Sequence, residues 1–173
     1  MVTSPQNRRH FLKMTLGLTL SSGAGFMSST GYAKPNIEMD IQQKDPIKPE
    51  MVKEFVAKGH GDLARVKELL EQEPQLLNAT WDWGAGDYET AVGGAGHMGR
   101  VDIAEFLIAK GARIDVFVAA MLGKIDVVKA TLMAYPTLKA SKGPHGLTLL
   151  HHARQGGENA KQVLQYLTEV GAS

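Results

Sequence analysis

The sequence contains no cysteine among its 173 residues. This absence excludes a disulfide framework, a thiolate-bound zinc or iron–sulfur site and a cysteine nucleophile. Any metal site in the chain would therefore need histidine and carboxylate ligands alone. The length predicts one ordinary domain, because domains have roughly 150 residues.

The chain also lacks a large excess of charge of either sign. It has 19 Lys and Arg against 18 Asp and Glu, a formal net charge of +1. The segment 1–33 contributes three basic side chains and no acidic ones, so the remainder has 16 basic against 18 acidic side chains, a net charge of −2. Since a domain that binds nucleic acid is normally strongly basic, this balance argues against nucleic acid as a partner.

Residues 1–33 have the three parts of an export signal. A positive start (Arg8, Arg9, Lys13) is followed by a short apolar stretch from Met14 to Leu20 and then by small residues that end at Ala33. Gly31 and Ala33 would be the small residues at −3 and −1 of a cut after Ala33. Because Gly, Ser and Thr interrupt the apolar stretch, it is too short for a transmembrane helix. A basic tail or an uncleaved anchor remains the alternative.

The start of this segment resembles the twin-arginine (Tat) export signal of bacteria, whose motif is Arg-Arg-x-Phe-Leu-Lys. Arg8, Arg9, Phe11 and Leu12 match its fixed positions, and Lys13 completes it. The resemblance implies that the folded protein is exported to the periplasm and has no membrane contact once the signal is removed. Residues 34–49, with three prolines and alternating charges, are predicted to be a solvated linker.

The remaining residues, 50–173, repeat one pattern. Windows that begin at Gly61, Gly99 and Gly123 each have apolar residues at +2, +5 and +9. This spacing places the apolar residues on one face of a short helix that must be buried. A fourth window contains Thr148-Leu149-Leu150-His151-His152-Ala153, with Gly157 shortly after it. The sequence therefore predicts about four similar helical units.

The fourth window resembles the signature Thr-Pro-Leu-His-x-Ala of the ankyrin repeat, a unit of about 33 residues with a β-turn and two antiparallel helices. Residues 111–115, Gly-Ala-Arg-Ile-Asp, are similar to the segment that closes such a repeat. The resemblance implies an all-α ankyrin-repeat solenoid of about four helix-turn-helix repeats over residues 50–173. It also implies that the His151 imidazole hydrogen-bonds to backbone between repeats.

The lengths of the connections depart from the ankyrin pattern. The interval from Gly61 to Gly99 is longer than the standard repeat, whereas the interval from Gly99 to Gly123 is shorter. The first loop finger is therefore enlarged, and the second is reduced to a short turn. The third interval, which ends at Gly157, is close to the standard length.

The enlarged first finger contains both tryptophans and a tyrosine, residue types that often dominate binding energy at interfaces. The residues predicted to contact a partner are Trp81, Asp82, Trp83, Asp87, Tyr88 and Arg113. The alternative is that the aromatic rings fold back onto the stack.

Two other patterns are weaker. Residues 94–99 spell G-x-G-x-x-G, but the residues before them are too few and too polar for the buried strand that a dinucleotide site requires. His60 and His97 are expected near the ends of first helices and could share one edge of the stack, yet no i, i+4 pair with a carboxylate supports a metal site there. No catalytic, cofactor or metal residues are therefore predicted.

These observations predict a monomeric, non-enzymatic scaffold that binds an unidentified partner protein through its concave face and loop fingers. By resemblance to exported bacterial ankyrin proteins, envelope stress protection is one expected role. The competing hypothesis is a small periplasmic enzyme or a metal- or ligand-binding protein that uses His97, Asp82 and Asp87 near the first finger.

Overall fold

The structure is a computed structural model that describes residues 45–173. The predicted export signal and residues 34–44 of the predicted linker lie outside the described residues. The described residues form eight α-helices, and the first begins at the last residue of the predicted linker. The helices are α1 (Pro49–Gly59), α2 (Leu63–Gln72), α3 (Ala91–His97), α4 (Val101–Ala109), α5 (Val116–Met121), α6 (Ile125–Ala134), α7 (Leu149–Gln155) and α8 (Lys161–Glu169).

The chain between α2 and α3 forms a small antiparallel hairpin. Strand β1 (Thr80–Asp82) pairs with β2 (Tyr88–Thr90), with Trp81 opposite Glu89. This hairpin occupies the segment in which the enlarged first finger is predicted. The described chain is mostly helical, as the predicted all-α class requires, and the hairpin is a short β element that the sequence patterns did not predict.

The helices are arranged as four consecutive pairs. Each odd-numbered helix packs against the even-numbered helix that follows it, and α1, α3, α5 and α7 pack side by side in chain order. Helix α3 also contacts α7, across α5. Segments that are distant in the sequence are therefore brought close together along this row of inner helices. No helix within residues 45–173 is both long and apolar enough to cross a membrane.

Local sequence explains where the inner helices begin. Thr90, Asp115 and Thr148 precede α3, α5 and α7, and each side chain accepts a hydrogen bond from the backbone N–H three residues later. Such caps satisfy N–H groups that have no partner within the helix. The outer helices bury apolar side chains as well. Leu69 of α2 and Leu107 of α4 are fully buried.

The glycines of the G-x-G-x-x-G run have a packing role in α3 and in the turn after it. A Cβ atom added to Gly94 would lie 2.9 Å from the ring of His60, and one added to Gly96 would lie 3.1 Å from Val118. Both distances are shorter than ordinary van der Waals contact. The absence of side chains at these positions therefore allows α3 to lie close to its neighbours and leaves room for the His60 ring.

Candidate functional site

Four titratable side chains from separate parts of the chain converge at the hairpin side of the inner helices. His60 follows α1, Glu89 lies in β2, His97 ends α3, and His145 lies in the turn before α7. One nitrogen or oxygen atom from each side chain lies within 4.8 Å of the corresponding atom of every other. We call these four residues the His–Glu cluster.

Glu89 is at the centre of the cluster. Side chains alternate between the two faces of a strand, so in β2 Tyr88 points outward while Glu89 points inward and is 1% exposed. Its Oε2 atom accepts a hydrogen bond of 2.8 Å from Trp83 Nε1 and lies 3.3 Å from His60 Nε2 and 3.5 Å from His145 Nε2. The hairpin therefore delivers a carboxylate into a space lined by imidazole rings.

The second carboxylate oxygen of Glu89 faces His97. Its Oε1 atom lies 2.9 Å from His97 Nε2. Among residues 45–173, no donor forms a hydrogen bond with this buried oxygen. Since most buried polar atoms in proteins are hydrogen-bonded, an unpartnered carboxylate oxygen at this place requires an explanation.

Glu89 is charged in this environment. Burial by itself would raise the pKa of its carboxyl group, but the contacts with His60, His97 and Trp83 outweigh burial and hold the pKa below its usual value. The Glu89 carboxylate is in turn the largest cause of a raised pKa at His60. The cluster therefore consists of one carboxylate anion surrounded by three imidazoles.

Hydrogen bonds orient two of the imidazoles with Nε2 toward the cluster. His60 Nδ1 lies 3.1 Å from the carbonyl oxygens of both Val56 and Ala57. His145 Nδ1 lies 2.7 Å from Asp87 Oδ2, and the backbone N–H of His145 donates to the other oxygen of Asp87. Because carbonyl and carboxylate oxygens only accept, both Nδ1 atoms are assigned the proton. The Nε2 atom of each ring is therefore the one that faces Glu89.

His97 supplies the third nitrogen. Its Nε2 atom lies 3.0 Å from His60 Nε2, and its side chain is almost entirely buried. The backbone carbonyl of His97 accepts a hydrogen bond of 3.0 Å from His151 Nε2, which fixes the end of α3 against α7. This contact confirms the predicted backbone hydrogen bond of His151.

His152 lies near the cluster and has a structural role. Its Nδ1 atom donates to the Thr148 carbonyl oxygen over 2.9 Å, and burial lowers the pKa of its imidazole. It is therefore a neutral, buried ring.

The cluster is reached from solvent through a shallow cavity of about 320 Å³, lined by Ala57, His60, Trp83 and His145. A groove of about 330 Å³ lies elsewhere, on the outer helices α2 and α4, around Leu70 and Phe106. Its lining includes two lysines and one glutamate, Glu71, but no histidine. The chemistry-bearing side chains are therefore concentrated at the shallow cavity.

The predicted partner-contact residues have different roles in the structure. Asp82 accepts hydrogen bonds from the backbone N–H groups of Gly84 and Gly86 and so shapes the hairpin turn. Trp83 and Asp87 are hydrogen-bonded to members of the cluster. The remaining three are placed elsewhere: Trp81 lies under Lys53 of α1, Tyr88 is 62% exposed, and Arg113 lies in the link between α4 and α5.

Of the three residues in the competing ligand hypothesis, the structure brings two to one place. His97 belongs to the cluster and Asp87 orients His145, whereas Asp82 stays within the hairpin turn. Sequence reasoning missed Glu89 and His145. Both are distant from His60 along the chain, so no local spacing could have indicated them. The predicted absence of metal ligands rested on that missing local pattern.

The chain matches no protein-family model and no curated protein sequence. Function is therefore inferred from the geometry and chemistry of the site. Two features stand out there: a hairpin held in place by polar contacts, and the His–Glu cluster beneath it.

Proposed function

We propose that the chain is an exported ankyrin-type repeat protein that binds a partner protein on its loop face, defined as residues 80–90 and 142–148. Support for the repeat architecture comes from the signature-like residues 148–153, the four helix pairs and the row of inner helices. The His151 hydrogen bond to the backbone at the end of α3 supports the role between repeats that the ankyrin resemblance implies.

The observation that carries the proposed binding role is the attachment of the hairpin to the loop before α7. Asp87 accepts two hydrogen bonds from His145, which is 58 residues later in the chain. Within the hairpin, Trp83 donates a hydrogen bond to Glu89. A loop that is already held loses less conformational entropy on association, so more of the contact energy is available for affinity.

Tyr88 is the aromatic residue that this arrangement presents most openly. It is 62% exposed, and Trp83 beside the cavity is 36% exposed. Large aromatic side chains on a preorganised surface are frequent anchors of protein interfaces. The loop face therefore offers a fixed surface on which Tyr88 is openly exposed and the two tryptophans, Trp81 and Trp83, are partly covered.

A photo-crosslinking residue at position 88 should form a discrete cross-linked product with one partner in cells that express the chain natively. Tyr135 is a matched control, because it is 65% exposed but follows the outer helix α6. Tyr88→Ala should weaken co-purification of that partner about tenfold, the effect of losing one interface anchor. Equal products from positions 88 and 135, or no product from 88, would contradict the proposed face.

Export is a second part of the proposal, and it rests on residues that lie outside the described part of the chain. Replacing Arg8 and Arg9 by lysine keeps the charge but removes the paired arginines of the motif. We expect the precursor to accumulate in the cytoplasm, as measured by cell fractionation and the size of the chain. Unchanged processing and periplasmic recovery of the double variant would argue against the twin-arginine assignment.

The competing ligand hypothesis also keeps a specific observation in its favour. The His–Glu cluster brings His97 together with three further groups that interface formation does not require.

A further inference from the structure

The His–Glu cluster contains the ligand set of a transition-metal site. Imidazole nitrogens and a carboxylate oxygen are preferred by Zn²⁺ and its first-row neighbours, whereas Ca²⁺ and Mg²⁺ prefer oxygen ligands. Three Nε2 atoms and one carboxylate converge here, each from a different part of the chain. In a chain without cysteine, this is the one class of zinc ligand set that the sequence allows.

The distances within the cluster are close to those of a tetrahedral site. Bonds of about 2.0–2.1 Å from a central zinc ion place neighbouring ligand atoms roughly 3.3 Å apart. Here His60 Nε2 lies 3.0 Å from His97 Nε2 and His97 Nε2 lies 2.9 Å from Glu89 Oε1. His60 Nε2 and His145 Nε2 lie 3.3 Å and 3.5 Å from the other carboxylate oxygen, Oε2. No pair exceeds 4.8 Å. Small adjustments of the side chains would therefore complete the geometry.

The contacts behind the imidazoles are those that metal-binding histidines usually make. A metal-ligating histidine donates its other ring N–H to a carboxylate or a backbone carbonyl, which fixes the ring and its tautomer. His145 makes this contact with Asp87, and His60 makes it with the carbonyls of Val56 and Ala57. Both rings are thus held with Nε2 directed at the same small volume.

The unpartnered oxygen of Glu89 distinguishes this cluster from a network of hydrogen bonds. If Glu89 served only to join the hairpin to the histidines, both of its oxygens would be expected to accept hydrogen bonds. Instead, the buried Oε1 atom lies 2.9 Å from His97 Nε2, inside the cluster, and forms no hydrogen bond with the described residues. A cation between Oε1 and the three nitrogens would satisfy this oxygen.

We propose that His60, Glu89, His97 and His145 bind one divalent transition-metal ion, with Zn²⁺ the best match to the ligand set. Trp83 donates to Glu89 Oε2 and thereby leaves Oε1 to face the ion. The shallow cavity beside His60 and His145 is the entry route. Bound metal would join α1, the hairpin, α3 and the turn before α7, so it would also fix the loop face.

The first measurement is a calorimetric titration with zinc chloride alone. It uses the full chain, carrying an affinity tag without histidine and stripped with a chelator beforehand. We expect one ion per chain. Cobalt(II) should give the visible absorption of a four-coordinate site, and added Zn²⁺ should raise the temperature of unfolding, because a ligand that binds the folded state stabilises it. Absence of stoichiometric binding by the unaltered chain would overturn the proposal.

Variants separate this site from incidental binding by surface histidines. His145→Asn removes an exposed ligand, and asparagine tolerates the positive φ of 57° at this position. Glu89→Gln removes the anionic oxygen at nearly constant size. Each should weaken Zn²⁺ binding by at least tenfold. Asp87→Asn keeps all four ligands and should weaken binding by about 10- to 100-fold, since it disturbs the group that orients His145.

His151→Gln is the matched control. His151 is a neighbouring histidine outside the cluster, and a glutamine amide can still donate to the His97 carbonyl. Its affinity for Zn²⁺ should equal that of the unaltered chain. If Glu89→Gln fails to fold, as judged by circular dichroism, the exposed His145 position still decides the question. Unchanged affinity in His145→Asn, with Asp87→Asn also unchanged, would show that the metal lies elsewhere.

Discussion

Gly156→Ala lowers the free energy of unfolding by about 3 kcal/mol, the expected result of forcing two backbone segments apart in a packed interior. A Cβ atom at Gly156 would lie 1.9 Å from the carbonyl oxygen of Met121 and 2.6 Å from Ala160 Cβ. Met121 ends α5 and Ala160 lies in the turn before α8, and both residues are fully buried. Alanine therefore cannot be accommodated by rotation of a side chain.

Gly157→Ala is the matched control for this effect. Gly157 has a φ of +57°, and nothing lies within 4 Å of the position that its Cβ would occupy. The cost is then limited to the left-handed backbone conformation, about 1 kcal/mol. Denaturant unfolding of both variants measures the difference. If both variants lost the same free energy of unfolding, glycine would be required at position 156 because of backbone conformation and not because α5 and α7 approach closely.

Leu132→Ala should destabilise the fold by about 2 to 5 kcal/mol, because it removes buried methyl groups and leaves a cavity. Leu132 is 6% exposed and packs in the core formed by the last two helix pairs. The next residue in the same helix, Met133, is 78% exposed. Met133→Ala should therefore change the free energy of unfolding by less than about 0.5 kcal/mol.

Comparing these adjacent substitutions tests the orientation of α6. Both substitutions introduce an alanine into α6, so the two variants differ little in helix propensity. A thermal or denaturant unfolding curve for each variant gives the two values. Similar destabilisation at positions 132 and 133 would mean that α6 is not oriented as the structure has it.

Local patterns were sufficient to predict most of the helices. The apolar spacing after Gly61, Gly99 and Gly123 corresponds to α2, α4 and α6, because a stripe at helical period must be buried on one side. Thr148 begins α7 at the predicted signature because its hydroxyl caps the helix. The repeat family, the export signal and the partner stay predictions.

Local sequence patterns did not predict the hairpin. Its strands have three residues each, too few to show the alternation by which strands are recognised. The first finger was singled out for its aromatic residues, and their contact with a partner stays a prediction. Its acidic residues have separate tasks in the structure. Asp82 shapes the turn, whereas Asp87 reaches across to His145.

The sequence by itself determined the chemistry available to this protein. Without cysteine, a transition metal can be held only by histidine and carboxylate, and the helical repeat pattern determines where most helices lie because capping and apolar periodicity act within a few residues. The tertiary structure alone decided that His60, Glu89, His97 and His145 meet. Their meeting depends on the contact of α3 with α1 and α7 and on the missing side chain at Gly94, which are long-range packing effects.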